Sequence, residues 1–190
     1  MSIKAKSDEQ LMLEYASGNP EAFEELFGRY GEKLYNLFLR SLNKTELAQD
    51  LLQECFLRVI ESRDRYQSTK EFSCWLFTIA MNLIRDKYRE QTRRTMEPIS
   101  ESSELDELEP KLHNQGPDEN LENLQIKEVI VTAINSLVND QREAIILSKY
   151  QGLSFSEIAE ILNISPAAAK QKAYRAMQNL RKKLAYLKED

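Results

Sequence analysis

Residues 154 to 184 read SFSEIAEILNISPAAAKQKAYRAMQNLRKKL, and they predict a helix-turn-helix. Ser154 stands three residues before Glu157, the spacing at which hydroxyl and carboxylate satisfy each other's backbone donors at a helix start. Ile158, Ala159 and Leu162 follow as a buried stripe. Asn163 is one of the few non-glycine residues that accept the left-handed conformation of a sharp turn, and Ile164 plugs the corner. Ser165 before Pro166 restarts a helix, a cap hydroxyl ahead of a proline whose missing N–H costs nothing at the first helical position.

Projected at about 100° per residue, the second helix puts Ala169, Ala173, Ala176, Leu180 and Leu184 on a core side, with Met177 at its margin. The opposite side carries Ala168, Gln171, Lys172, Arg175 and Lys182, flanked by Lys170 and Tyr174. From Asn163 to Lys188 there are seven Lys or Arg and no Asp or Glu. Small residues in the first turn and one-signed donors beyond suit a helix that enters a major groove and reaches base edges and phosphates. A plain amphipathic hairpin with a solvated basic face would share the charge. It would not need the capping pair, the Asn turn and the Ser-Pro restart together.

The chain's formal charge of −5 over 190 residues conflicts with nucleic-acid binding only until it is mapped. Nine acids and one Lys fall between Glu97 and Glu122, a net of −8, so the rest of the chain carries +3. That stretch loses helical periodicity and holds three of the five prolines, as a flexible acidic linker over residues 96–122 would. Leu105, Leu108 and Leu112 give it a short apolar rhythm, and His113 there has no evident role. Cys55 and Cys74 lie far apart with no paired spacing and one His in the chain, so no metal site and no cofactor are expected. The N-terminus lacks the apolar run of a signal peptide, and no membrane-spanning stretch occurs; no membrane insertion and a cytoplasmic location are expected.

The expected fold is all-α, with two small helical domains: residues 8–95, the linker 96–122, and residues 123–188 bearing the helix-turn-helix. In the first domain Asn19-Pro20 opens a helix to about Leu42, Thr45 another to about Ser62, and a third begins near Phe72. In the second, helices near Leu124–Val138 and Asp140–Gln151 precede the stop at Gly152.

Two first-domain helices carry more than packing requires. In that from Thr45, Leu51, Leu52, Cys55, Phe56, Val59 and Ile60 make a wide buried arc, and Asp50, Gln53 and Glu54 cluster at its edge. Such an edge suits a basic partner, though a solvated face looks the same. In the helix from Phe72, one apolar stripe holds Phe72, Trp75, Leu76, Ile79 and Leu83; a second holds Phe77, Met81, Ile84 and Tyr88. Two stripes imply a helix gripped from two sides. Between them Thr78, Asn82, Arg85 and Arg89 form a polar strip leading into KYREQTRR, beside the loop YQSTKE, an arrangement suited to an unstacked single strand.

DLLQECFLRVIESRDRY, FSCWLFTIAMNLIRDKYR and QREAIILSKYQGLSFSEIAEILNISPAAAKQKAYRAMQNLRKKL, in that order, resemble the two domains of a bacterial RNA polymerase sigma factor of the extracytoplasmic-function group. The resemblance covers nearly the whole chain. It implies that Asp50, Gln53 and Glu54, with Phe56 and Val59 nearby, grip the coiled coil of the polymerase's largest subunit. It implies that Asn82, Arg85, Asp86 and Arg89, with Ser68 and Lys70 in the loop from Tyr66 to Phe72, capture the melted minus-ten element. Ser165, Ala168, Lys170, Gln171, Lys172, Tyr174 and Arg175 match the helix that enters the minus-thirty-five duplex. The partners implied are core RNA polymerase and promoter DNA; an anti-sigma factor is common in the family, and nothing in the chain identifies one. Where the family usually has Gly-Thr-Val, this chain has Ala167, Ala168 and Ala169, and its usual Leu or Ile is Ala173.

No nucleophile with its base, metal cluster or glycine-rich phosphate loop occurs, so no catalysis is expected of the chain itself. The acidic linker could mimic nucleic acid in a basic polymerase channel and discourage binding of free DNA. The competing expectation is a stand-alone helix-turn-helix regulator that binds operators without polymerase; it gives no reason for the Asp50, Gln53, Glu54 edge. A protein that only sequesters a partner would not need the basic helix.

Overall fold

A computed structural model of the chain describes residues 2–96 and 121–185. The linker readings, including Leu105, Leu108, Leu112 and His113, lie outside them. The described residues form helices α1 (Asp8–Ala16), α2 (Pro20–Leu42), α3 (Thr45–Glu61), α4 (Phe72–Met96), α5 (Leu121–Asn135), α6 (Asn139–Lys149), α7 (Phe155–Leu162) and α8 (Pro166–Lys183). No strand occurs among them. Expected helix starts differ by a few residues at α5, where propensity changes too gradually to mark an end.

Local signals set the remaining ends. Asn19 caps α2 through its side chain, which accepts from the Glu21 N–H, and Pro20 fills the first helical position. Ser7 and Gln10 form a reciprocal capping pair at α1. Asn43 ends α2 in the left-handed region at φ 53°, as Asn163 ends α7 at φ 54°. The start of α4 is capped in trans: Glu9 on α1 accepts from the Phe72 N–H at 3.0 Å.

The first domain packs α2 against α1, α3 and α4 around Leu26, Leu34, Leu37, Phe38, Leu51, Phe72 and Leu76, all buried. Each such side chain removed from water contributes about 1.5–3 kcal/mol before chain entropy is charged against it. In the second domain α8 lies along α6 and α7 on a side lined by Ala169, Ala173, Ala176 and Leu180, as projected. Three alanines let the helix axes approach closely. The expected second grip on α4 is supplied from outside its own domain: α4 also packs against α7.

Candidate polymerase and promoter interfaces

On α3 the acid and amide edge faces solvent. Asp50 and Gln53 are exposed, while Glu54 is half-buried and accepts from Arg58 one turn on at 2.6 Å. Phe56 and Val59, expected beside this edge, are buried in the core and brace it from behind. Their burial leaves them no surface for a partner. Leu57, which the sequence reading passed over, is 56% exposed beside Gln53 and gives the edge an apolar element. A charged rim with one exposed apolar side chain suits a helical partner with basic residues.

The loop leading to α4 is built on aromatics. Tyr66 is buried against Trp75 and Phe72, with ring centroids 5.2 and 6.0 Å away, and its hydroxyl donates to the Lys70 carbonyl at 3.0 Å. Burial pushes the Tyr66 phenol up to about 12, so it stays a neutral donor. Ser68 and Lys70 are thereby held outward and exposed. These aromatics serve packing, and the loop's polar groups are its accessible part.

Along α4 the expected strip divides. Asn82, Asp86 and Arg89 are exposed, with Arg89 donating to Asp86 at 3.0 Å. Arg85 is engaged: its Nε and Nη2 donate to the two carboxylate oxygens of Glu143 on α6 at 3.0 and 2.7 Å. Glu143 is 7% exposed. Thr78 turns its hydroxyl back to the Cys74 carbonyl at 2.7 Å, the usual internal satisfaction of a helical Thr.

On α7 and α8 the motif forms as its spacing indicates. Ser154 and Glu157 close the reciprocal capping pair, and the Ser165 hydroxyl accepts from the Ala168 N–H at 3.2 Å. Ser165, Lys170, Gln171, Tyr174 and Arg175 are exposed, Tyr174 at 62%. Ala168 is half-buried. Lys172 differs: it is half-buried and ion-paired with Asp140 on α6, so its charge is partly spent within the domain. Sequence periodicity could not foresee a carboxylate thirty-odd residues away in the chain.

The domain junction holds residues that spacing did not single out. Arg142, 9% exposed, donates to the carbonyls of Ile134, Asn135 and Leu137 and so ties off the turn between α5 and α6. Glu71, Cys74 and Glu157 bring ligand-type atoms within 4.8 Å of one another. Burial pushes the Cys74 thiol up to about 11, which keeps it protonated at neutral pH. Cys55 is likewise buried and unpaired, its thiol raised to about 12 by burial.

Sigma-70 region 2 matches residues 26–94, the span of α2 to α4, and Sigma-70 region 4 matches residues 127–180, the span of α5 to α8. The chain belongs to the sigma-70 family. The RNA polymerase sigma factor CarQ of Myxococcus xanthus is 37% identical over 176 residues, covering 93% of this chain and 97% of that one. The ECF RNA polymerase sigma factor SigW of Bacillus subtilis is 30% identical over 170 residues, covering 88% and 91%. Among solved structures, CnrH in complex with the cytosolic domain of CnrY superposes with a TM-score of 0.72 at 25% identity, covering 97% of this chain and 99% of that one. The sigma factor RpoE bound to the anti-sigma factor NepR from Bartonella quintana shares the fold, with a TM-score of 0.67 at 23% identity over 86% and 96% of the two chains.

This chain is therefore a sigma factor of the extracytoplasmic-function group, which binds core RNA polymerase and directs it to promoters. The stand-alone regulator is set aside. A transcription initiation factor with this fold accounts for both matched regions at once, and no described helix is long and apolar enough to cross a membrane.

Proposed function

We propose a division of labour between the two domains at the level of named residues. The first domain, residues 8–95, docks on the polymerase through the α3 edge of Asp50, Gln53 and Glu54 and takes up the unpaired minus-ten strand with Asn82, Arg85, Asp86 and Arg89 of α4 and Ser68 and Lys70 of the preceding loop. The second, residues 123–188, lays α8 in the minus-thirty-five major groove, where Lys170, Gln171, Tyr174 and Arg175 reach base edges and phosphates. Residues 96–122 tether them. Capture of separated bases downstream makes binding free energy favour the open strand. The chain supplies no catalysis; bond making belongs to the polymerase, and the site of action is the cytoplasm. The structural neighbour RpoE was solved with the anti-sigma factor NepR, and a protein of that kind is a natural partner here as well.

The observation that carries this reading is the solvent-facing Asp50 and Gln53 beside exposed Leu57, an edge that neither the fold nor duplex binding uses. Run-off transcription from a promoter of this factor, with core polymerase and with or without the chain, tests it. Asp50→Arg is expected to abolish promoter-dependent transcript while retaining the helical spectrum and melting of the wild type. Full activity in that variant would remove the α3 edge from the docking surface.

A further inference from the structure

We propose that Glu143 is a built-in competitor for the promoter strand: it latches α6 of the second domain to α4 through Arg85 and so takes that guanidinium out of the strand-capturing set, whose other members stay exposed. The proposal rests on the assignment of Arg85 to the minus-ten strand made above.

The geometry is that of a substrate mimic. A guanidinium recognises phosphates and base edges through parallel donors, and the Glu143 carboxylate offers the same two acceptors, taking Nε at 3.0 Å and Nη2 at 2.7 Å. Arg85 cannot serve both. Glu143 is 7% exposed, and Arg85 is its hydrogen-bond partner among the described residues, so separating the domains leaves a desolvated carboxylate to be rehydrated. The neighbouring Arg142 braces the arrangement, donating to the Tyr88 hydroxyl of α4 at 2.6 Å while its other donors hold the α5–α6 turn.

The closure extends along one face of α4. Cys74 and Arg85 lie about three turns apart on that face, and Cys74 sits beside Glu157 of α7. At the far side Gln151 donates to the Lys33 carbonyl at 3.3 Å, and the Arg40 guanidinium lies 4.3 Å from the Tyr150 ring centre. Meanwhile Asp50 and Gln53 on α3 remain exposed. The closed chain can therefore meet the polymerase while Arg85 is withheld, so it grips a single strand more weakly than the opened chain does.

The test uses the full chain. Cys74 is 2% exposed at the junction, whereas Cys55 is 0% exposed within the first domain, so alkylation by N-ethylmaleimide reads opening at the first and unfolding at the second. Glu143→Gln keeps the shape and removes the charge; it is expected to speed Cys74 alkylation about tenfold with Cys55 unchanged. Exchanging the pair, Arg85→Glu with Glu143→Arg, is expected to restore the rate to within about twofold of wild type. A wild-type rate in Glu143→Gln overturns the latch. Should Cys55 also become reactive there, the variant has unfolded and the exchanged pair decides: protection restored supports the latch, protection lost overturns it.

A second arm separates this inference from the assignment beneath it. The probe is a fluorescein-labelled single strand spanning the minus-ten element of the promoter used in the run-off assay. Glu143→Gln is expected to bind it about tenfold more tightly than wild type, and Arg85→Gln more weakly. Unchanged affinity in Arg85→Gln would sink the role given to Arg85 above. Weaker binding by Arg85→Gln without tighter binding by Glu143→Gln would instead overturn the competition.

Discussion

Tyr88 of α4 and Arg142 of α6 meet across the domain boundary, Arg142 Nη1 donating to the Tyr88 hydroxyl at 2.6 Å with its guanidinium carbon 5.2 Å from the ring centre. The same hydroxyl donates onward to the Ser41 carbonyl at the end of α2. One phenol thus accepts from the second domain and donates to the first. Burial, the largest influence, raises its pKa against the lowering effect of Arg142, which keeps the proton that this chain of bonds requires.

Tyr88→Phe keeps the ring and removes both bonds, leaving the Ser41 carbonyl and one Arg142 donor unpaired. A loss of about 1–3 kcal/mol is expected, measured by urea unfolding. Two separable transitions should also replace a single one as the domains uncouple.

The cap that Glu9 gives α4 makes a small pH-dependent contribution. Burial raises the Glu9 pKa, but its hydrogen bond from the Phe72 N–H and further bonds from the Glu9 backbone and Ser7 outweigh it, leaving the carboxyl below the ordinary 4.5. A depressed folded pKa stabilises the fold above the ordinary value, and the contribution is lost as pH falls through the folded one. Glu9→Gln should therefore be less stable than wild type at pH 7, by under about 1 kcal/mol because solvent screens a half-exposed group. The gap should close as thermal melts are taken below about pH 4.

The alanines of α8 differ in the room around them. Ala169 is 0% exposed between helices, while Ala173 borders an open groove with Ile145, Phe155 and Met177. Ala169→Leu should cost about 1–3 kcal/mol by overpacking. Ala173→Leu fills space already present and should cost under about 1 kcal/mol, as differential denaturation of the two variants would show.

Duplex binding should depend on salt through the exposed cations of α8. With about five phosphates neutralised, log affinity is expected to fall with log salt at a slope near −4 to −5. Arg175→Ala should lower that slope by about one, whereas Lys172→Ala should change it less, since Asp140 already pairs with Lys172. Equal changes for both would place Lys172 on the groove after all.

Asn163 holds φ 54° at the turn between α7 and α8, a conformation that costs an ordinary residue roughly 1–2 kcal/mol. Asn163→Ala should lose about that amount and Asn163→Gly little of it. Thermal melting of the two variants compares them directly.

What the sequence determined by itself is whatever depends on near neighbours. Ser154 with Glu157, Asn163, and Ser165 with Pro166 reach only a few residues along the chain, so their reading gave both helices and the turn as they stand. The apolar repeats of α3 and α4 likewise gave the core side, because helical period is a local property. The tertiary structure decided which polar residues are free. Periodicity places Arg85 and Lys172 on polar faces, but their carboxylates, Glu143 and Asp140, come from elements distant in sequence. It also decided that Phe56 and Val59 lie behind the docking edge with Leu57 in front, that Glu9 caps a helix sixty-odd residues away, and that α4 takes its second packing partner from the other domain. An ion pair or a trans cap depends on which helices come together in space, and pairings of that kind leave no period in a single chain.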